Sequence, residues 1–264
     1  RLKADGLALD NIFYMRTEAD VQRQLAALDG ARQGLVLGGG LVGFKAAYGL
    51  LKRGLTVTML ITSGYPLSMQ VDETAGKMIL DELRDYGLKV RVGISVEAFE
   101  GNGSVTGAHL SDGTLTSCDL VVVGKGVLPA VSFVPRDKID IDLGILVNEH
   151  METSTAGIFA AGDVAELVDI SRKTRWVNAI WPEAVIQGRI AGTSMAGRRM
   201  SYRGSLSRNV LRILKLDVMT MGQVNPPDTS EYDVICTGGT GRRTYRKLVF
   251  SNNILTGAVL VNDI

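Results

Sequence analysis

Gly38-x-Gly40-x-x-Gly43 is the first stretch of this 264-residue sequence whose residue types and spacing could do chemistry. It follows the short apolar run Leu35-Val36-Leu37 and precedes a helical pattern over Phe44–Lys52. That placement suits a turn from a buried strand into a helix. The first glycine permits the tight turn. The second lets backbone approach a pyrophosphate, and the third packs the helix on the strand. Gly39, Leu41 and Val42 fill the turn, so backbone N–H groups and the positive end of a helix dipole would meet the phosphates. The alternative is a glycine-rich turn that holds no ligand. A dinucleotide fold also carries Asp or Glu at the end of its second strand, bonding ribose hydroxyls. Here Val57-Thr58-Met59-Leu60-Ile61 is followed by Thr62-Ser63-Gly64, with no carboxylate and no arginine for a 2′-phosphate. The choice between NADH and NADPH therefore stays open.

A second motif is Thr153-Ser154-Thr155-Ala156-Gly157-Ile158-Phe159-Ala160-Ala161-Gly162-Asp163-Val164-Ala165. Taken alone, Asp163 could simply cap a helix start. The whole run resembles the second FAD-binding motif of the pyridine nucleotide-disulfide oxidoreductases. Val121-Val122-Val123-Gly124-Lys125-Gly126-Val127-Leu128-Pro129 resembles the strand and loop closing their NAD domain. Trp181-Pro182-Glu183-Ala184 and Gln187-Gly188-Arg189-Ile190-Ala191-Gly192 resemble the helix beside the flavin. Tyr202-Arg203-Gly204-Ser205 resembles the opening of the C-terminal interface domain, in the branch of nitrite reductase-like and rubredoxin reductase-like NAD(P)H oxidoreductases.

The resemblance implies FAD and NAD(P)H as cofactors and hydride transfer from NAD(P)H to FAD, with electrons passing on to an acceptor. It implies that a strand Ile158–Ala160 lies along the flavin ribityl chain, Gly162 turning and Asp163 accepting from ribityl hydroxyls. A following helix would point at the diphosphate. Gly124 and Gly126 would let the nicotinamide half approach, and the helix opening at Glu183 and Ala184 would face the flavin pyrimidine edge. Lys45 stands where relatives often carry glutamate; it reads as a solvated helix residue, the alternative being a contact to a cofactor phosphate or an electron-transfer partner. No catalytic acid or base emerges. The family's redox cysteines and first FAD fingerprint would precede Arg1, so the chain reads as a fragment with weak FAD retention and with exposed apolar surface or an altered packing after about residue 130. The alternative is a non-catalytic nucleotide-binding or scaffold subunit of an electron-transfer complex, as Ile61 and Lys45 suggest.

Positioning these groups takes an α/β chain: a connector (1–27), a Rossmann-like NAD(P)-binding domain with a β-meander (28–129), the C-terminal part of an FAD-binding domain (130–199) and a small α+β interface domain (200–264). Thr17 caps a short helix whose Val21, Leu25 and Leu28 share a face. Helices are expected over Asp72–Tyr86 and Pro182–Ala196. Strands are expected at Lys89–Val92, at Ala98–Glu100, Ser104–Leu110 and Thr114–Cys118 of the meander, at Leu120–Val123 and Ile145–Val147, and at four sites after Tyr202, with a turn at Asn252-Asn253. Net charge is +1, which favours neither nucleic acid nor an anionic membrane. The longest apolar runs are too short to span a bilayer. Cys118 and Cys236 form no CxxC, and with only two histidines no metal site is expected. The expected setting is cytoplasmic, and the expected partners are small-molecule cofactors, a redox partner protein and a second copy in a homodimer.

Overall fold

Parallel pairing organises the first half of the chain, and antiparallel pairing the last quarter. The computed structural model describes residues 2–227 and 230–263; Arg1 and Ile264, the outer limits of the expected domains, lie outside them. The chain divides into two units, Arg1–Gly126 with Arg212–Leu216 and Gly239–Gly241, and Val127–Leu211 with Asp217–Gly238 and Arg242–Ile264.

The first unit runs β1 (Ile12–Tyr14), α1 (Glu18–Ala26), β2 (Gln33–Leu37), α2 (Leu41–Leu51), β3 (Thr56–Ile61), α3 (Glu73–Asp85), β4 (Lys89–Val92), β5 (Val96–Asn102), β6 (Ser104–Leu110), β7 (Leu115–Ser117) and β8 (Leu120–Val123). Its main sheet has the order β1-β8-β2-β3-β4, and every pair in it is parallel. Leu35, Val36, Leu37 and Leu120–Val123 are all buried, as a sheet covered on both faces requires. β5, β6 and β7 form the expected antiparallel meander. Phe99, Val105, Ala108 and Leu110 pack with Leu35, Leu37, Val121 and Val123 in one core, against which Leu2, Ala4, Leu7 and Leu9 also lie. The opening residues are thus tied down: Asp5 exchanges backbone bonds with Glu97 and Phe99, at 3.1 and 2.9 Å. β1 was not expected from sequence. At three residues its signal is short, and its partner in β8 lies more than a hundred positions away.

α1 begins at Thr17 as expected, its side chain and that of Asp20 forming a reciprocal capping box. Its orientation differs from the expected apolar face. Asp20 and Gln24 are buried, while Val21 and Leu25 are 39% and 38% exposed. The Asp20 carboxylate takes the backbone N–H groups of Arg16 and Thr17, and Gln24 donates to Tyr14 O. Local hydrogen bonds, rather than apolar contacts, set the rotation of this helix.

The second unit carries β9 (Ile145–Leu146), β10 (Ala165–Asp169), β11 (Thr174–Trp176), α4 (Trp181–Met195), most of β12 (Arg208–Ile213) and of β13 (Leu216–Gly222), whose Arg212, Ile213 and Leu216 fall in the first unit, and β14 (Asp233–Gly238), β15 (Tyr245–Ser251) and β16 (Ile254–Val261). One small sheet has the order β11-β10-β9, and a five-stranded sheet has the order β12-β13-β16-β15-β14. From residue 200 onward the described residues contribute strands alone. The β15–β16 turn at Asn252-Asn253 has both residues at positive φ, 51° and 59°, the geometry of a type I′ hairpin turn.

Two expectations are corrected here. Ile158–Ala160 is not a strand; Phe159 makes only an isolated bridge to Glu152. Nor does a helix follow Asp163. The chain turns at Gly162, where Ala165 N–H bonds back to its carbonyl at 3.0 Å, and enters strand β10 directly. The next helix begins only at Trp181. β10 escaped the sequence reading because two of its buried residues are acids. Glu166 takes the Gly144 N–H at 2.8 Å, and Asp169 is held by Asn178 at 2.8 Å and by Ser171 at 2.5 Å. Their bonding partners offset the cost of burial. In this unit Phe133 is 78% and Trp181 83% accessible.

Candidate functional site

β2 pairs with both β3 and β8, so the chain's excursion through α2 and its later return separate at the carboxyl end of β2. A crevice at such a switch point is where open α/β sheets take ligands. Gly38 sits there at φ 111°. Its N–H donates to Leu60 O, and Gly124 N–H donates to Leu37 O, both at 2.8 Å. The three backbones meet closely. A Cβ on Gly38 would lie 2.4 Å from Gly124 O, and one on Gly43 would lie 2.0 Å from Gly38 O. Gly124 in turn backs onto Gly43 N. Only hydrogen side chains allow this convergence.

Gly40 differs. It is the N-cap of α2 with no side-chain cap bond, and a Cβ there would meet nothing within 4 Å. The first turn of α2, Leu41 and Val42 included, therefore presents uncapped N–H groups beside open space, a cradle that fits a diphosphate. Gly39 is closed from below by Ile61, whose Cδ1 would be 2.7 Å from an added Cβ. Gly39 O also accepts the N–H of Leu67 at 2.9 Å. Leu67 is buried at φ 56°, an uncommon conformation for a branched residue. The β3–α3 loop is thus pinned to the glycine turn, a link the sequence did not reveal. Ile61 is itself buried, so the strand end offers a ribose no carboxylate. Ser63 Oγ donates to Tyr65 O at 2.8 Å, and Thr62 is exposed. Lys45 is exposed, its ammonium 5.6 Å from the Phe44 ring centroid. Gly126 is exposed at φ 83°.

In the second unit the turn at Gly162, which carries Asp163, packs against Ala184 in the first turn of α4, the turn that also holds Glu183. Gly162 has φ 82°, and a Cβ on it would stand 3.5 Å from Ala184 Cβ. Asp163 is exposed at the turn. α4 has Pro182 in its first turn and no side-chain cap on Ile180. An exposed carboxylate acceptor next to an uncapped helix end suits a polyhydroxyl chain and an electron-rich ring edge, so the residues present fit a flavin's ribityl and pyrimidine parts.

Glu183 occupies a different environment from an open ligand contact. Its side chain is buried, taking the Tyr202 hydroxyl and, at 3.0 Å, Arg208 Nη1. Burial, and then the bond and charge of Glu183, push the Tyr202 phenol above its ordinary range. Toward a ligand this position has only its backbone to offer. Gln187, one turn further on, is fully buried, and its Oε1 accepts the Gly162 N–H at 2.8 Å. Its Nε2 has no partner among the described residues. The spacing of Glu183, Gln187, Ile190 and Ala191, the buried face of α4, was the available signal for both side chains.

Known proteins match both parts of the chain. Residues 208–264 match the rubredoxin NAD+ reductase C-terminal domain. The chain is 33% identical over 260 residues to the NADH-dependent phenylglyoxylate dehydrogenase subunit epsilon of Aromatoleum evansii, covering 97% of this chain and 61% of that one. It is 25% identical over 262 residues to the NADH-rubredoxin oxidoreductase of Clostridium acetobutylicum, again covering 97% and 61%. The chain thus spans about three fifths of the length of these relatives. The water-forming NADH oxidase from Lactobacillus brevis, solved with NADH bound, shares the fold at a TM-score of 0.89 and 19% identity, over 99% of this chain and 61% of that one. The glycine turn at the sheet's switch point and the aspartate turn against α4 both lie within residues 1–188, which match the pyridine nucleotide-disulphide oxidoreductase family, and to that family this chain belongs.

Proposed function

We propose that this chain is the nicotinamide-binding part and a portion of the flavin-binding part of an FAD-dependent NAD(P)H oxidoreductase. The observation that carries the reading is the convergence of Gly38, Gly43 and Gly124 beside the open, uncapped turn at Gly40. When bound, FAD would take a hydride from NAD(P)H and hand electrons on; the chain's own residues bind and orient. Gly38–Gly43 hold the nicotinamide dinucleotide's diphosphate through backbone N–H groups. Gly124 and Gly126 leave room for its nicotinamide half. Asp163 accepts from ribityl hydroxyls, with Gly162 setting the turn. The backbone of Glu183 and Ala184, at the positive end of α4, lies toward the flavin's electron-rich edge.

The names of the relatives support a protein as electron acceptor, either a small redox carrier or a neighbouring subunit. We place the protein in the cytoplasm and expect a homodimer, whose mass light scattering on the purified protein tests directly. No helix among the described residues is long and apolar enough to cross a membrane.

Anaerobic titration of the flavin-loaded protein with NADH and with NADPH, followed in the flavin's visible band, tests the reading. Bleaching by either nucleotide is expected. A second reading, a scaffold subunit with a decayed nucleotide site, rests on Ile61 closing the place of the ribose carboxylate. A flavin that stays oxidised with both nucleotides would establish that reading and end the first.

A further inference from the structure

We infer that Gln187 is a positioning residue for the flavin turn: it holds the Gly162 peptide so that Asp163 is presented in one fixed orientation. The inference rests on the flavin reading above. Gln187 lies in the middle of α4, fully buried. Its Oε1 accepts the Gly162 N–H at 2.8 Å across 25 positions of sequence, while its Nε2 is buried without a partner among the described residues. A methionine or leucine would fill similar space with no orphaned donor, so packing alone argues against an amide here. What the amide adds is one acceptor, aimed at one backbone N–H. That N–H belongs to a residue at φ 82°, directly before the exposed Asp163. Gly162 also rests against Ala184 of the same helix. The amide therefore ties the aspartate turn to the body of α4, one turn below the helix end proposed to face the flavin. Released from Gln187, the peptide could rotate, and the carboxylate would spread over several orientations. The bound state would then carry an ordering cost that the native turn has already met.

The test titrates FAD into flavin-free protein and compares Gln187→Met, Asp163→Ala and the double variant. Q187M is expected to weaken FAD binding by about fivefold to tenfold, the range of one lost buried hydrogen bond. D163A is expected to weaken it at least as much. The double variant should bind within about twofold of D163A alone, because Gln187 acts through the turn that carries Asp163. Amide exchange gives a readout local to the bond: the Gly162 N–H exchanges slowly in the native protein and faster in Q187M while the amides within α4 keep their native rates, which a general loosening of packing would not leave unchanged. Should Q187M fail to fold, the native protein still decides the matter, since a freely exchanging Gly162 N–H overturns the assignment. Unchanged FAD affinity in Q187M alongside a loss in D163A overturns the Gln187 assignment alone. Unchanged affinity in D163A overturns the flavin reading, and the Gln187 assignment with it. Additive losses in the double variant overturn the route through Asp163.

Discussion

Two glycines three positions apart carry opposite constraints. At Gly43 an added methyl would press on the Gly38 carbonyl, which is backbone and cannot rotate away. At Gly40 it would enter open space. Gly43→Ala should therefore lower stability by about 1–3 kcal/mol, as overpacking does, and lose nucleotide binding as the turn shifts. Gly40→Ala should cost less, about 0.5–1 kcal/mol for alanine at the helix N-cap, yet bind NADH at least about tenfold more weakly, since the methyl takes the place of the phosphate. Thermal unfolding and NADH titration on the pair check this. Equal stability loss in both variants would mean the open space at Gly40 is not real, and unchanged NADH binding in G40A would mean it holds no phosphate. The thiols give a second residue-level contrast. Cys118 is buried and Cys236 exposed. Burial, and then the charges of Asp119 and Glu100, push the Cys118 thiol up to about 12. At neutral pH a thiol reagent should modify one cysteine per native chain and two in denaturant; two in the native state would contradict the buried position.

Elements were legible in proportion to how local their causes are. β4 and β8 fall at their expected residues, and β2, α2 and β3 begin or end within three residues of expectation, because strand–glycine–helix punctuation is written in neighbouring residues. The hairpin at Asn252-Asn253 was legible for the same reason. Those asparagines stand in left-handed geometry by virtue of residue type, and Asn253→Gly should raise stability by about 0.5 kcal/mol or more, read as a higher urea midpoint. An unchanged or lower midpoint would mean that Asn253 makes side-chain contacts worth more than its backbone strain. β1 and β10 were illegible because their causes are distant. β1 exists through pairing with β8, and β10 through Asn178 and Gly144, which satisfy its two buried acids. The candidate site divides along the same line. Gly38, Gly40, Gly43 and Asp163 could be named from motifs. Gly124's contact with Gly43, Leu67's hold on Gly39 and Gln187's hold on Gly162 depend on how separate segments fold together.

For the whole molecule, a net charge of +1 leaves no large global repulsion, so its pH stability is set by a few buried groups. Burial alone would raise the Asp169 carboxyl, but bonds from Asn178 and Ser171, together with the Arg172 and Ser171 backbones, outweigh it and hold it below its ordinary value. A carboxyl depressed in the folded state contributes stability above its unfolded pKa, about 4, and loses it as pH falls through the folded value. On the alkaline side Cys118 and Tyr202 are both raised, from 9.0 and 10.0. A group raised in the folded state contributes fully below its unfolded pKa and loses that contribution as pH climbs toward the folded one. Cys118 lies in the first unit and Tyr202 in the second, so each unit carries its own alkaline limit. Urea midpoints should form a plateau between about pH 5 and 9 and fall on both sides. Asp169→Asn should cost about 3 kcal/mol on the plateau, since the donors around it lose their charged acceptor, and should flatten the acid limb. Cys118→Ala and Tyr202→Phe should each flatten the alkaline limb, and Cys118→Ala should leave the acid one as it was. If D169N kept the native acid slope, the acid limit would belong to other carboxylates, and the Asp169 network would be only a packing feature.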